Sequence, residues 1–246
     1  MGQIILCETK EAKIPYEFTS FHQKILTYEE LCYCIWEHFL FFAQNGIEEK
    51  LFQWLLEELA LEELKEWRQA SAREQFLQVI SCRNYFLPQE ISTLMKRYDR
   101  YQKMSESEKK IRIGDEYLKQ GRYEKALKQY LSAKDHQMDG RTYYNIAVCY
   151  ARQWNFEAAA EFFMKSYRLT KKKRALEAYY VVLMLKGEVI SAKIMAGTDY
   201  ETFAAKWELM KTQWKEEGWQ EEESKSGQYK KKMLEQWKRE YREEME

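Results

Sequence analysis

A pattern recurring every 33 residues between Ile113 and Ala192 constrains this chain more than any other feature. One copy places Ile113, Gly114, Tyr117, Gly121, Tyr123, Ala126, Tyr130 and Ala133 along two short helical stretches. A second copy places Ile146, Ala147, Tyr150, Phe156, Ala159, Phe163 and Ser166 at the same offsets, and a fainter third carries Tyr179, Tyr180, Leu183, Gly187, Val189 and Ala192. Small residues at fixed positions let neighbouring helices approach, while the aromatic ones fill the space between units. A period this close to 34 specifies stacked helix–turn–helix pairs. No pair can bury its apolar face alone, so stacking is compulsory and the last unit needs a cap.

The rest of the chain agrees with helix. Among 246 residues there are 9 glycines and 2 prolines, few turn-makers for so long a chain. Residues 3–26 are the least helical part, with Ile4-Ile5-Leu6-Cys7 and Ile14-Pro15-Tyr16-Glu17-Phe18 as two short extended segments. Thr27-Tyr28-Glu29-Glu30 is a capping box, in which hydroxyl and carboxylate each satisfy a free backbone N–H. It opens a helix bearing Leu31, Cys34, Ile35, His38, Phe39 and Phe42, which Asn45-Gly46 ends. Further helices carry Leu51 to Leu59, then Leu61, Leu64 and Trp67. Ser71 opens the next with Phe76, Leu77 and Ile80, and Pro88 starts the one that bears Ile91, Leu94, Met95 and Tyr98. Ser105-Glu106-Ser107-Glu108 caps entry into the repeats with no linker-like composition. Thr198 caps a helix with Phe203, Trp207, Met210 and Trp214, suited to closing the array. The expected architecture is all-α. A helical bundle with an extended lead-in spans residues 1–104. An α-α superhelix of about three units spans 105–197, and capping helices with a charged tail span 198–246.

The residues of the two clearer copies resemble the tetratricopeptide repeat family, over about a third of the chain. That resemblance implies a concave groove lined by the first helix of each pair, and a partner rather than a substrate. Carried over by position, the groove consists of Ile111 and Asp115, then Arg141, Tyr144, Asn145, Val148 and Arg152, then Arg174 and Val181. The chaperone-binding branch grips a carboxylate with Lys and Asn on successive first helices. Ile111 and Asp115 stand where the first Lys and Asn are wanted, so chaperone tails are disfavoured. What remains is an apolar floor with a tyrosine and three arginines, suited to a peptide or protein segment bearing an acidic group. The competing reading is that the chain's own bundle or tail fills the groove and its arginines pair internally. Ile14-Pro15-Tyr16-Glu17 followed by residues 28–33 is also similar to a group of bacterial tetratricopeptide proteins. This implies a bacterial setting and brings no activity with it.

Chemistry is poorly represented. Cys34 and His38 share a helix face, with Cys7 and His22 upstream, but no metal-ligand spacing joins them, and no metal or cofactor is expected. No Gly-x-Ser-x-Gly turn, phosphate loop or His-Glu-x-x-His helix supplies an active site, so the expectation is a non-enzyme. Lys+Arg and Asp+Glu balance at 40 each, giving no field for nucleic acid or anionic membrane. The alternative, a sensor or transcriptional regulator with an N-terminal DNA-binding domain, rests on candidate recognition helices at 60–70 and 72–82. Both are mixed in charge and rich in apolar residues. Five cysteines without CxxC spacing read as reduced, mostly buried thiols of a cytoplasmic protein. The run from Leu31 to Ala43 is too short to span a membrane. In the tail, Tyr229, Met233, Trp237 and Tyr241 form a stripe that wants a surface: the chain's own repeats, a second copy or another protein.

Overall fold

A computed structural model describes residues 10–133 and 138–187, together with residues 204, 205, 208, 209 and 212. The chain divides into two compact units, residues 1–182 and 183–246. The extended segment at Ile4, the second half of the third repeat, the proposed cap's Phe203, Trp207, Met210 and Trp214, and the striped tail lie outside the described residues.

Residues 10–27 form a lead-in that grips the bundle. Two strands, β1 (Tyr16–Phe18) and β2 (Gln23–Ile25), pair antiparallel with Glu17 opposite Lys24. The second strand was not anticipated, because Gln23, Lys24 and Ile25 carry no alternation long enough to read. Trp54 Nε1 donates to the Ile14 carbonyl at 2.7 Å, and the Glu58 carboxylate accepts from the Lys13 and Ile14 amides.

Helix α1 (Tyr28–Glu37) starts on its capping box, with Thr27 accepting from the Glu30 amide. The single helix expected through Asn45 instead breaks at His38, and α2 (Phe39–Asn45) follows. Phe39, Phe41 and Phe42 cannot all share one face of a straight helix. The break gives each a partner: Phe39 meets Phe76, Phe41 meets Tyr117 at 5.1 Å, and Phe42 meets Phe18 at 5.4 Å. Helix α3 (Glu49–Glu57) follows. The helix expected at Leu61 is a 3-10 helix, Glu62–Trp67. Leu61, Leu64 and Trp67 are spaced three apart, which puts them on one side of a three-fold turn. Leu61 and Leu64 are buried there.

Helices α4 (Ala72–Ser81) and α5 (Pro88–Gln102) complete the bundle, opening at the expected Ser71 capping box and Pro88. Tyr28 donates from the core to the Val79 carbonyl at 2.7 Å, which ties α1 to α4. Arg73 holds Asp99 through two bonds, 2.7 and 3.0 Å, tying α4 to α5. Of the two candidate DNA-reading segments, one is a short 3-10 helix and the other, α4, has its leading arginine in an exposed ion pair with Asp99.

The repeats follow as α6 (Glu106–Lys119) with α7 (Tyr123–Ser132), then α8 (Gly140–Arg152) with α9 (Phe156–Thr170), then α10 (Lys173–Leu185). Among the described residues the protein is helical apart from the β-hairpin and connections, an all-α fold. Ala126, Ala147 and Ala159 are fully buried, as the close approach of helices requires. At Gly114 a Cβ would lie 2.7 Å from the Tyr130 ring, so only glycine lets α7 seat against α6.

The two intra-repeat turns are copies of each other. The amides of Arg122 and Asn155 donate to the carbonyls of Tyr117 and Tyr150, both at 2.9 Å. The amides of Gly121 and Trp154 donate to Leu118 and Ala151, both at 3.0 Å. Each turn is a Schellman closure, which needs a left-handed residue. Gly121 (φ 74) supplies it at no cost, whereas Trp154 (φ 61) adopts it against its preference.

Candidate partner-binding groove

The expected groove residues lie on the first helices of the repeats: Ile111 and Asp115 on α6, Arg141 to Arg152 on α8, and Arg174 and Val181 on α10. Most of their polar groups are joined to one another. Asp115 Oδ1 accepts from the Tyr130 hydroxyl at 2.6 Å and from Asn145 Nδ2 at 2.9 Å. Its other oxygen accepts from Arg141 Nη2 at 3.5 Å. One carboxylate therefore joins α6, α7 and α8. Burial, and then the bond to Asp115, keep the Tyr130 phenol protonated far above the ordinary tyrosine range.

The next interface repeats the idea with different chemistry. Arg174 Nε on α10 donates to the Tyr144 hydroxyl at 3.1 Å, and its guanidinium lies 5.1 Å from that ring's centroid. The Tyr144 ring stands edge-on to Phe163 at 5.1 Å. Asp115 and Asn145, expected as contacts for a partner, are thus engaged in holding the repeats together, and so in part is Tyr144.

The remaining positions are more available. The Arg141 side chain is 75% exposed, and its ion pair with Asp115 is long. Arg152 is exposed, with its guanidinium 5.9 Å from the Tyr123 ring. Ile111 is half-buried against the Tyr130–Ile146 core, and Val148 against the Ala147–Phe163 core. Val181 is also half-buried. The described surface therefore offers an apolar strip edged by Arg141, Arg152 and Arg174. Tyr130 was read only as a space-filler. Its hydroxyl role had no signal in spacing, because it depends on an aspartate on another helix.

Of the groups considered for chemistry, Cys7 lies outside the described residues and His22 is exposed, while the others are taken up by packing. Cys32, Cys34 and Cys149 are buried free thiols, and burial pushes Cys34 and Cys149 up to about 12. His38 stacks on Phe21 at 4.1 Å, and burial lowers its pKa. Among the described residues no group of three or more His, Cys, Asp or Glu is placed to hold a metal ion. None of the described helices is long and apolar enough to cross a membrane.

Residues 110–135 and 140–173 match the family model described as tetratricopeptide repeat. No curated protein and no solved structure matches the chain.

Proposed function

The chain carries tetratricopeptide repeats at residues 110–135 and 140–173, and we propose that it is a non-catalytic adaptor for a protein partner. Repeats of this architecture generally present extended binding surfaces. The partner segment lies along α6, α8 and α10, with its apolar side chains on Ile111, Val148 and Val181. An acidic group on it meets Arg141, with Arg152 and Arg174 as further donors. The observation that carries this reading is Arg141, exposed at the groove and joined to Asp115 only at 3.5 Å. A guanidinium held this loosely can exchange its contact for a partner carboxylate at little cost. The buried thiols suit a reducing compartment, and the cytoplasm is the proposed location.

The test is affinity capture from the native host with wild type and with Arg141→Glu, both shown to be folded by circular dichroism. The expected result is a partner retained by wild type and reduced at least about tenfold by the variant, as for loss of a charge-assisted contact. An identical set of retained proteins would count against the groove. Tyr144→Ala is a poorer probe, because it also removes the Arg174 bond and the Phe163 contact.

A further inference from the structure

A cleft of about 240 Å³, which shares no lining residue with the groove, lies where the bundle meets the first repeat. Its walls come from the α1–α2 break, the second half of α5 and the middle of α6. Three arginines line it: Arg97 and Arg100, one turn apart on α5, and Arg112 on α6. Among the described residues none of the three makes an ion pair with a carboxylate. Two carboxylates share the cleft, Glu37 and Glu116, and Glu116 is held by Lys119 at 2.6 Å.

Arg97 is the most telling of the three. It is half-buried, with its guanidinium 4.3 Å from the centroid of the Phe39 ring. Burying a cation against an apolar face is costly, and burial here lowers its pKa, an effect that the nearby Glu116 carboxylate opposes in part. Stacking on Phe39 offsets part of that cost and also fixes the direction of the guanidinium fork. Tyr101 stands in the same wall, 2% exposed, and its hydroxyl has no hydrogen-bond partner among the described residues. Three arginines against two carboxylates, one of them already held by Lys119, leave the cleft with an excess of positive charge that suits an anion.

We propose that this cleft binds a small phosphomonoester, with its phosphate among Arg97, Arg100 and Arg112 and its organic part against Leu40 and Met104. A dianion with three terminal oxygens uses three guanidiniums, whereas a single carboxylate satisfies fewer. The volume is below the roughly 300–1,000 Å³ of drug-sized sites, which favours a small ligand over a peptide.

The test is calorimetric titration of the full chain at constant ionic strength with phenyl phosphate, inorganic phosphate, phenylacetate and a phosphoserine pentapeptide. Phenyl phosphate is expected to bind saturably and tighter than the other three. Arg100→Gln, an exposed position, is expected to weaken it at least about tenfold. Glu37→Gln is expected to tighten it about threefold by removing a like charge, a gain that misfolding cannot mimic. Absence of saturable binding, equal affinity for the two phosphates, or indifference to Arg100→Gln overturns the proposal. Tighter binding of the phosphopeptide overturns it in favour of a peptide site.

Discussion

Asp115 shows how much one side chain can hold. Its Oδ1 is shared by the Tyr130 hydroxyl and the Asn145 amide, each from a different helix. Removing only the hydroxyl, by Tyr130→Phe, keeps the ring against Gly114 and leaves a half-buried carboxylate with one donor fewer. A hydrogen bond to a charged acceptor contributes about 1.5–3 kcal/mol. The variant is therefore expected to lower the free energy of unfolding by about that amount in urea denaturation, with the m-value unchanged. A loss below about 0.5 kcal/mol would mean that the network is ornamental to stability. The sequence showed Tyr130 and Asp115 separately, one as an aromatic at a large position and the other as a departure from a carboxylate-gripping pattern. Their bond was illegible because no local spacing records a contact between helices.

Elements were read best where a backbone group demands a particular side chain. The capping boxes at Thr27, Ser71 and Ser105 all form, and Gly46 ends α2 as expected. Reading failed where packing among several elements decided the outcome, as at the break at His38 and the partner strand at Gln23. The 3-10 helix is a different kind of miss, since the three-residue spacing of Leu61, Leu64 and Trp67 was present and taken for an α-helix. The paired turns separate the two kinds of signal. Gly121 announces its turn, while Trp154 reveals the same turn only through its offset of 33 residues from Gly121. A Cβ at Gly121 meets nothing nearer than the Tyr123 hydroxyl at 3.9 Å, so Gly121→Ala has no clash to relieve. Its cost is that of a left-handed alanine, about 1–2 kcal/mol, readable as a lowered melting temperature. An unchanged melting temperature would imply that the turn does not keep its closure in solution.

On the scale of the molecule, burial of titratable groups sets a limit on alkaline stability. Cys34 and Cys149 are pushed by burial from an ordinary value near 9.0 up to about 12. Tyr16 and Tyr101, likewise desolvated, move from 10.0 up to about 12. Between those limits the unfolded chain has already released protons that the folded chain retains. The unfolded state therefore binds fewer protons, and stability falls as pH rises. The urea midpoint is expected to decline steadily from pH 9 to pH 12, beginning with the thiols. A midpoint that stays level across that range would show the thiols to be accessible in the folded protein.

The contact between the lead-in and the first repeat has a consequence for how such a chain can vary. Arg122, at the turn between α6 and α7, donates to the Ser20 carbonyl in the hairpin loop, and Phe41 of α2 rests on Tyr117 of α6. The bundle thus occupies the flank of α6 and α7 on which a preceding unit would stack. Duplication of a unit ahead of residue 106 would have to displace the hairpin and the phenylalanines of α2. Duplication after α9 would meet only another repeat interface of the kind already present. An added unit is therefore accommodated between α9 and α10 at less structural cost than ahead of residue 106.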